Sequence, residues 1–312
     1  MDAIIVIRNI AVENANAVSG KTRGFPAISH FLGYMYALQR CLTEKSRLDM
    51  SELRLSGCGV VYHEQGCQAE NVSEQTYSLA QPPMIKEGRA ISSDEDRMDL
   101  TVSLVISVTR LPVLNDVFEI IQLEKEIKQL AESRLAGGTV SSISSVSVVR
   151  VSKSMDVQER QVAACFRTLL PGFALVSRSD LQSEPSLLFS GTNYSELERG
   201  LLESNFQGET IGEVSASDNR VRPIPVGYKV ISPLYPTSEV DGSDEKETSV
   251  CYVETIYSLG EWVRPQRIKR FDEIMWSYSA ESNHSQLCRN SYKSESVQEE
   301  LAQHDLNLKG TG

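Results

Sequence analysis

The sequence predicts an α+β protein whose first half follows the order β, α, β, β, α, β. Three observations support this prediction: short β-branched runs, two longer segments with apolar residues at helical spacing, and glycine or proline between them. Elements in this order form a split βαβ unit, an antiparallel four-stranded sheet with two helices on one face. This is the topology of ferredoxin-like and RNA-recognition-type domains.

A basic, glycine-containing loop separates the first strand from the first helix. The run AIIVIRNI at 3–10 predicts a buried strand. Pro26 suits a first helical turn, and apolar residues then recur at helical spacing to about Leu42. Residues 1–50 carry six Lys/Arg against four Asp/Glu, whereas the whole chain has a net charge of −11. An acidic total argues against nucleic-acid binding by bulk charge, but a local basic groove remains compatible with it.

Two strands flank a polar excursion in the middle of the first half. The segment LRLSGCGVVYH at 53–63 predicts a strand whose glycines indicate a bulge. Residues 64–99 are polar and contain Pro82-Pro83, so we expect an inserted hairpin or excursion outside the core. The segment DLTVSLVISVTR at 99–110 predicts the next strand.

A second amphipathic helix and a fourth strand complete the first domain. Residues 114–135 predict the helix, Gly137-Gly138 follow it, and TVSSISSVSVVRV at 139–151 predicts the strand. We therefore assign residues 1–151 to a ferredoxin-like, RNA-recognition-type domain with inserted hairpins.

The second half is less regular. We expect residues 152–312 to form an irregular α+β extension that packs on the first domain and ends in a mobile C-terminal segment. The predicted elements are helices at 155–170 and 265–279, a strand at 173–178, and extended segments at 224–235 and 249–259.

Composition excludes several classes of site. The six cysteines are scattered without a CxxC pair and there are only four histidines, so we expect reduced thiols in a cytoplasmic protein without a metal or cofactor. No apolar run approaches the roughly 20 residues that span a bilayer, which predicts no membrane association. The tripeptide GKT lacks the upstream glycine of a phosphate loop, because Ala15 stands at that position.

The loop after the first strand holds the first candidate binding residues. Asn14 and Asn16 offer amide donors and acceptors that suit RNA, although turn formation explains them equally well. Lys21 and Arg23 offer cations for a phosphate backbone, and Gly24 ends the loop before the helix N-terminus, which favours anions.

Further candidates lie elsewhere in the sequence. Gly137 and Gly138 permit close approach of RNA to the backbone, but they also serve as a helix stop. Arg264 and Arg267 accompany an aromatic residue in EWVRPQRIKR, which suits RNA or a partner protein. His30 and His63 are the histidines that an RNA-cleaving acid–base pair would use.

Five dispersed segments together resemble a known family. They are NANAVSGKTRGFPAISHFLGYMYALQR, RLAGGTV, LLPGFALVSR, IPVGYKVISPLY and VETIYSLGEWVRPQRIKRFDEIMW. In this order they are similar to the Cas-five-type subunit, or second Csy protein, of the type I-F CRISPR surveillance complex. The resemblance extends from about residue 10 to about residue 280. The positions Lys21 to Arg23 and Tyr36 depart from the family pattern.

The resemblance implies a non-catalytic, RNA-binding subunit in antiviral defence. The subunit would hold the 5′ handle of the CRISPR RNA together with the large Csy subunit, and would contact the backbone Csy subunit. Target DNA would be engaged only indirectly, and a separate endoribonuclease would process the guide.

Two alternatives remain. The first is a metal-independent CRISPR-repeat endoribonuclease of the same fold, with His30 and His63 as its candidate residues. The second is a ferredoxin-like small-molecule enzyme or regulatory domain unrelated to RNA. Site-specific cleavage of repeat RNA in EDTA would favour the former, and copurified nucleic acid would remove the latter.

Overall fold

The computed structural model describes residues 1–20, 22–63, 78–80, 95–113, 117–179, 189–190, 221–236, 249–282 and 285–292. Its helices are α1 (Ile28–Lys45), α2 (Val117–Ala131), α3 (Met155–Arg167) and the short α4 (Phe271–Ile274). The strands of the first half are β1 (Ala3–Asn16), β2 (Val18–Ser19), β3 (Thr22–Arg23), β4 (Arg54–His63), β5 (Ser78–Ala80), β6 (Glu95–Thr109), β7 (Arg134–Leu135) and β8 (Gly138–Arg150). Those of the second half are β9 (Phe173–Ser177), β10 (Phe189–Ser190), β11 (Val221–Val230), β12 (Tyr235–Pro236), β13 (Ser249–Val250), β14 (Val253–Val263), β15 (Trp276–Ser282) and β16 (Ser285–Asn290).

One large antiparallel sheet organises the described part of the chain, which confirms the α+β class. Its main path runs β10-β14-β11-β16-β15-β4-β6-β1-β8-β7, with β5 beside β6, and β9 beside both β14 and β4. Strands from both sides of the expected 151/152 boundary belong to this sheet, and the boundary itself stays a prediction.

Four neighbouring strands carry the two long helices of the first half. In the order β4-β6-β1-β8 every neighbouring pair is antiparallel, so β1 and β4 run parallel with β6 between them. Helix α1 connects β1 to β4, and α2 precedes β8 after β6.

The first face of this sheet is covered by α1 and α2. Ile5 and Ile7 point to it from β1, and they are fully buried against side chains that include Phe31 of α1 and Ile127 of α2. Burying each such side chain stabilises the fold by about 1.5–3 kcal/mol. The amphipathic pattern of the two helices therefore attaches both of them to one side of the sheet.

The second face is covered by elements from the second half of the chain. Ile4 and Val6 alternate with the first set and are fully buried in a separate cluster. Val162 and Phe166 of α3 join that cluster, and Phe166 meets Phe271 of α4 edge-on with ring centroids 5.8 Å apart. RNA-recognition modules stack bases on an open sheet face, and in this protein α3 and α4 occupy that position.

Several predicted elements have different bounds. Strand β1 continues to Asn16 because register shifts after Ile7 and Val12 allow it to keep pairing with β6. The expected bulge in β4 is present, between Leu55 and Gly57. The helix predicted at 265–279 is wrong in extent, since Trp276 begins a strand.

Candidate functional site

The end of β1 is irregular and presents Asn14 at the surface. Asn14 adopts a left-handed conformation with φ 57°, within the second register shift of the strand. Its backbone N–H donates to Oδ1 of Asp99 at 2.9 Å, and its carbonyl oxygen accepts from Nη1 of Arg97 at 3.4 Å. The exposed side-chain amide makes no hydrogen bond within the described part of the chain. It is therefore accessible to a ligand.

Asn16 stabilises the turn that follows. Its Oδ1 accepts the N–H of Val18 at 3.1 Å, and its own N–H donates to the carbonyl oxygen of Ala136 at 2.8 Å. The side-chain oxygen of Asn16 is therefore used in forming the turn.

The basic loop is a miniature hairpin of β2 and β3. Val18 pairs with Arg23, and the N–H of Gly24 donates to the carbonyl oxygen of Ala17 at 2.8 Å. The hydroxyl of Ser19 accepts the N–H of Ala27 at 3.1 Å, which ties the hairpin to the start of α1. Lys21 and the side chain of Arg23 lie outside the described residues.

Gly137 belongs to a hairpin turn and does not stop α2. The helix ends at Ala131, and Leu135 and Gly138 then pair across the β7–β8 turn. Ala136 and Gly137 have φ values of 51° and 79°, the left-handed pair that a type I′ turn requires.

Gly138 allows a close approach, but the approaching chain is β1. A Cβ atom at Gly138 would lie 2.4 Å from the carbonyl oxygen of Glu13 and 2.7 Å from the backbone nitrogen of Ala15. The glycine is buried, so its role in the described structure is to seat β8 against the irregular end of β1.

Two arginines that the sequence analysis did not select join this region. Nη2 of Arg134 donates to the carbonyl oxygen of Gly137 at 2.8 Å, and Arg97 lies beside both Gly137 and Asn14. Arg134 opens the family-like segment RLAGGTV, which was an available signal. Arg97 lies in the polar excursion and had no such signal. We call this region, residues 13–20, 22–24 and 134–138 with Arg97 and Asp99, the β1 corner.

Arg264 and Arg267 lie elsewhere. Both are exposed, and the N–H of Arg267 donates to the carbonyl oxygen of Arg264 at 2.9 Å in a 3-10 turn beside α3. The preceding Trp262 instead packs against Phe25 on the face that α1 covers. The structure therefore gathers the asparagines and loop glycines but leaves these two arginines on the other side of the sheet.

The two histidines are also kept apart. His30 is on α1, and burial lowers the pKa of its imidazole. His63 is buried at the end of β4, beside Pro171 between α3 and β9 on the opposite face. The sheet separates the pair that an acid–base mechanism would need within hydrogen-bond reach of one substrate.

A metal-binding cluster and a membrane-spanning helix are both absent from the described residues. They contain no group of three or more His, Cys, Asp or Glu side chains that could hold a metal ion. None of their helices has the length and apolar character needed to cross a membrane.

Comparison with known proteins identifies the family. Residues 5–289 match the family described as CRISPR-associated protein (Cas_Csy2). The chain is 30% identical over 311 residues to CRISPR-associated protein Csy2 of Pseudomonas aeruginosa (strain UCBPP-PA14), covering 90% of this chain and 92% of that protein. The match spans both the four-stranded unit and the strands of the second half. The chain therefore belongs to the Csy2 family of CRISPR-associated proteins.

Proposed function

We propose that this chain is a non-catalytic, RNA-binding subunit of a type I-F CRISPR surveillance complex, active in antiviral defence. In this role it fills the Cas-five-type position and holds the 5′ handle of the CRISPR RNA together with the large Csy subunit. Family membership supports its place in a Csy complex. The observation that carries the RNA-binding role is the β1 corner.

The β1 corner offers the chemistry that a single-stranded handle needs. The exposed amide of Asn14 can donate and accept hydrogen bonds. The guanidinium group of Arg97 lies beside Asn14 and Gly137, and that of Arg134 donates to the carbonyl oxygen of Gly137. Asp99 and Glu13 keep the local charge mixed. Recognition at the β1 corner depends on individual hydrogen-bond donors and acceptors and does not depend on the overall charge. It is therefore compatible with a net charge of −11.

The four-stranded unit is proposed to be a ferredoxin-like module that contacts RNA outside its sheet faces. Its strand order and the placement of α1 and α2 follow the split βαβ scheme. Since both faces of this sheet are covered by helices, RNA is expected to bind at the rim and in the loops.

The separation of the two candidate histidines supports the proposed non-catalytic assignment. His30 and His63 lie on opposite faces of the sheet. This separation counts against the endoribonuclease alternative, which would use these two residues together.

An exposed apolar patch supports partner binding. Val113, Val117, Phe118 and Ile121 project at and before the start of α2, and Phe118 is 72% exposed. A cluster of this kind is typical of a protein interface. We propose the large Csy subunit and the backbone Csy subunit as partners, with target DNA engaged only through the assembled complex.

The test uses the chain coexpressed with the large Csy subunit and an RNA of the repeat-derived 5′ end. Arg134→Ala should weaken binding about tenfold, as the loss of one charged hydrogen bond does. It should also reduce the slope of log affinity against log salt by about 0.7, as expected for one phosphate contact on a single strand. The matched control is Arg160→Ala, an exposed arginine on α3. Equal affinities for the two variants, or no RNA binding by the pair, would contradict the proposal.

A further inference from the structure

A small cavity opens next to the β1 corner, between the β2–β3 hairpin, the start of α1 and strands β11 and β14. Its volume is about 60 Å³, which is enough to admit water. The residues that line it are Thr22, Phe25, Pro26, Ile28, Leu175, Arg222, Pro223, Ile224, Pro225 and Trp262.

The cavity wall is aromatic and apolar. Phe25 and Trp262 meet edge-on with ring centroids 4.8 Å apart, and both rings remain partly exposed. Leu175 pairs with Trp262 across β9 and β14 and closes one side. Pro223 and Pro225 contribute no N–H donors to the wall. A partly open aromatic wall of this kind accepts the face or edge of a planar ring.

A cation lines the same cavity. Arg222 is exposed, and its side chain forms no ion pair or hydrogen bond within the part of the chain that the structure describes. A guanidinium group in this position can bind a phosphate oxygen through two parallel hydrogen bonds. The aromatic wall suits the base of a nucleotide, and the cation suits its phosphate.

We propose that this cavity is a nucleotide subsite, in which one splayed base of a single-stranded RNA lies against Trp262 and Phe25 and its phosphate binds Arg222. The inference rests on the proposed RNA-binding function and extends it to a defined position. Because the cavity holds about 60 Å³, the edge of the base enters and the rest of the ring stays at the mouth. The β2–β3 hairpin connects the subsite to the β1 corner, since Thr22 lines the cavity and pairs with Ser19.

The chain carries its own reporter for this site. It has two tryptophans, and Trp276 is only 1% exposed with its indole N–H donating to the carbonyl oxygen of Leu175 at 2.8 Å. Trp262 is the accessible one, so a base that stacks on it should quench its fluorescence. The Trp262→Phe variant in the same complex gives the emission of Trp276 and of any tryptophan in the large subunit, and this background can be subtracted.

The experiment titrates the chain, coexpressed with the large Csy subunit, with a synthetic RNA of the repeat-derived 5′ end. We expect saturable quenching of the Trp262 emission, no quenching in Trp262→Phe, and about tenfold weaker binding by Arg222→Ala. Arg167→Ala, an exposed arginine on α3, serves as the matched control and should bind as the wild type does. A mononucleotide should quench only at far higher concentration than the RNA.

Three outcomes would overturn the inference. They are RNA binding without a change in Trp262 emission, equal affinity of the Arg222→Ala and Arg167→Ala variants, and equal potency of RNA and mononucleotide. In each of them RNA binding by the pair can persist, so the proposed function would stand. Loss of all RNA binding by the wild-type pair would instead remove both.

Discussion

Nε2 of His63 lies 2.6 Å from the hydroxyl oxygen of Ser103, deep in the sheet. The other ring nitrogen, Nδ1, lies 2.6 Å from the carbonyl oxygen of Pro171. A carbonyl only accepts, so Nδ1 donates to it, and in the neutral ring Nε2 then accepts from the Ser103 hydroxyl. Ser103 in turn accepts the backbone N–H of Asn9 at 2.9 Å. Every polar atom of the imidazole is satisfied, which is the arrangement of a structural histidine.

The first prediction concerns this network. His63→Ala should lower the free energy of unfolding by about 2–4 kcal/mol, because it removes the acceptor of the Ser103 hydroxyl proton and the donor to the Pro171 carbonyl oxygen, and opens a cavity. Urea unfolding measures the change, and Glu52→Ala is the control, since its side chain is 73% exposed in a surface ion pair. An unchanged unfolding midpoint accompanied by loss of a specific RNA cleavage would revive the endoribonuclease alternative.

The second prediction compares two glycines. Gly138→Ala should destabilise the protein by about 1–3 kcal/mol, because its Cβ would lie 2.4 Å from the carbonyl oxygen of Glu13 and the backbone must move. Gly33→Ala on α1 meets no atom within 4 Å and should stabilise the protein by about 0.5–1 kcal/mol through helix propensity. Thermal unfolding of both variants checks the opposite signs, and changes in the same direction would contradict the packing at the β1 corner.

The third prediction concerns pH. Burial disfavours the imidazolium form of His30 and lowers its pKa from the ordinary value of 6.5. The unfolded chain therefore binds the proton more readily than the folded one. The contribution to stability is complete above about pH 6.5 and is lost as the pH falls through that value toward the folded-state pKa. His30→Gln should lose less stability than the wild type between pH 7 and pH 5 in urea titrations, and parallel pH profiles would show that His30 does not titrate on unfolding.

The fourth prediction concerns the edge of β8. Beyond its short pairing with β7, the outer edge of β8 receives Glu124, whose Oε1 accepts the N–H of Val148 at 2.8 Å, and Lys128, whose Nζ donates to the carbonyl oxygen of Ser144 at 3.3 Å. Residues 138–149 contain no charge and no proline, so these α2 side chains shield the edge from pairing with another strand.

Removing that shield should promote self-association. The Glu124→Ala/Lys128→Ala double variant should form oligomers or aggregates at concentrations where the wild type stays dispersed, as light scattering would detect. Lys125→Ala, an exposed neighbour on α2, changes the charge without touching the edge and should behave as the wild type does. Aggregation of the Lys125→Ala variant to the same degree would show that the effect does not depend on the β8 edge.

Local pattern predicted most of the regular elements of the first half. Alternation within β1 and helical spacing in α1 and α2 were sufficient. The apolar residues that recur with these periods are the ones that the structure buries. Burial on both faces was not predictable, since the residues of α3 and α4 that cover Ile4 and Val6 lie more than 150 positions away along the chain.

The candidate site was predicted unevenly for a related reason. Asn14, Asn16 and the two glycines were selected from turn-like composition, and the structure places them together. Arg97 joins them only through the pairing of β6 with β1, a long-range contact without a local signal. Gly137-Gly138 was interpreted as a helix stop because a hairpin turn favours the same residue type.

On the proposed function, the covered sheet also limits how this protein can bind RNA. A polymer that is excluded from both faces touches only a rim, where a few nucleotides lie within reach. Because the contacts are so few, one subunit in isolation is expected to bind RNA weakly. Durable binding then arises from avidity. Neighbouring subunits on the same strand raise the effective concentration of the RNA end at the β1 corner, so each individual contact can remain reversible.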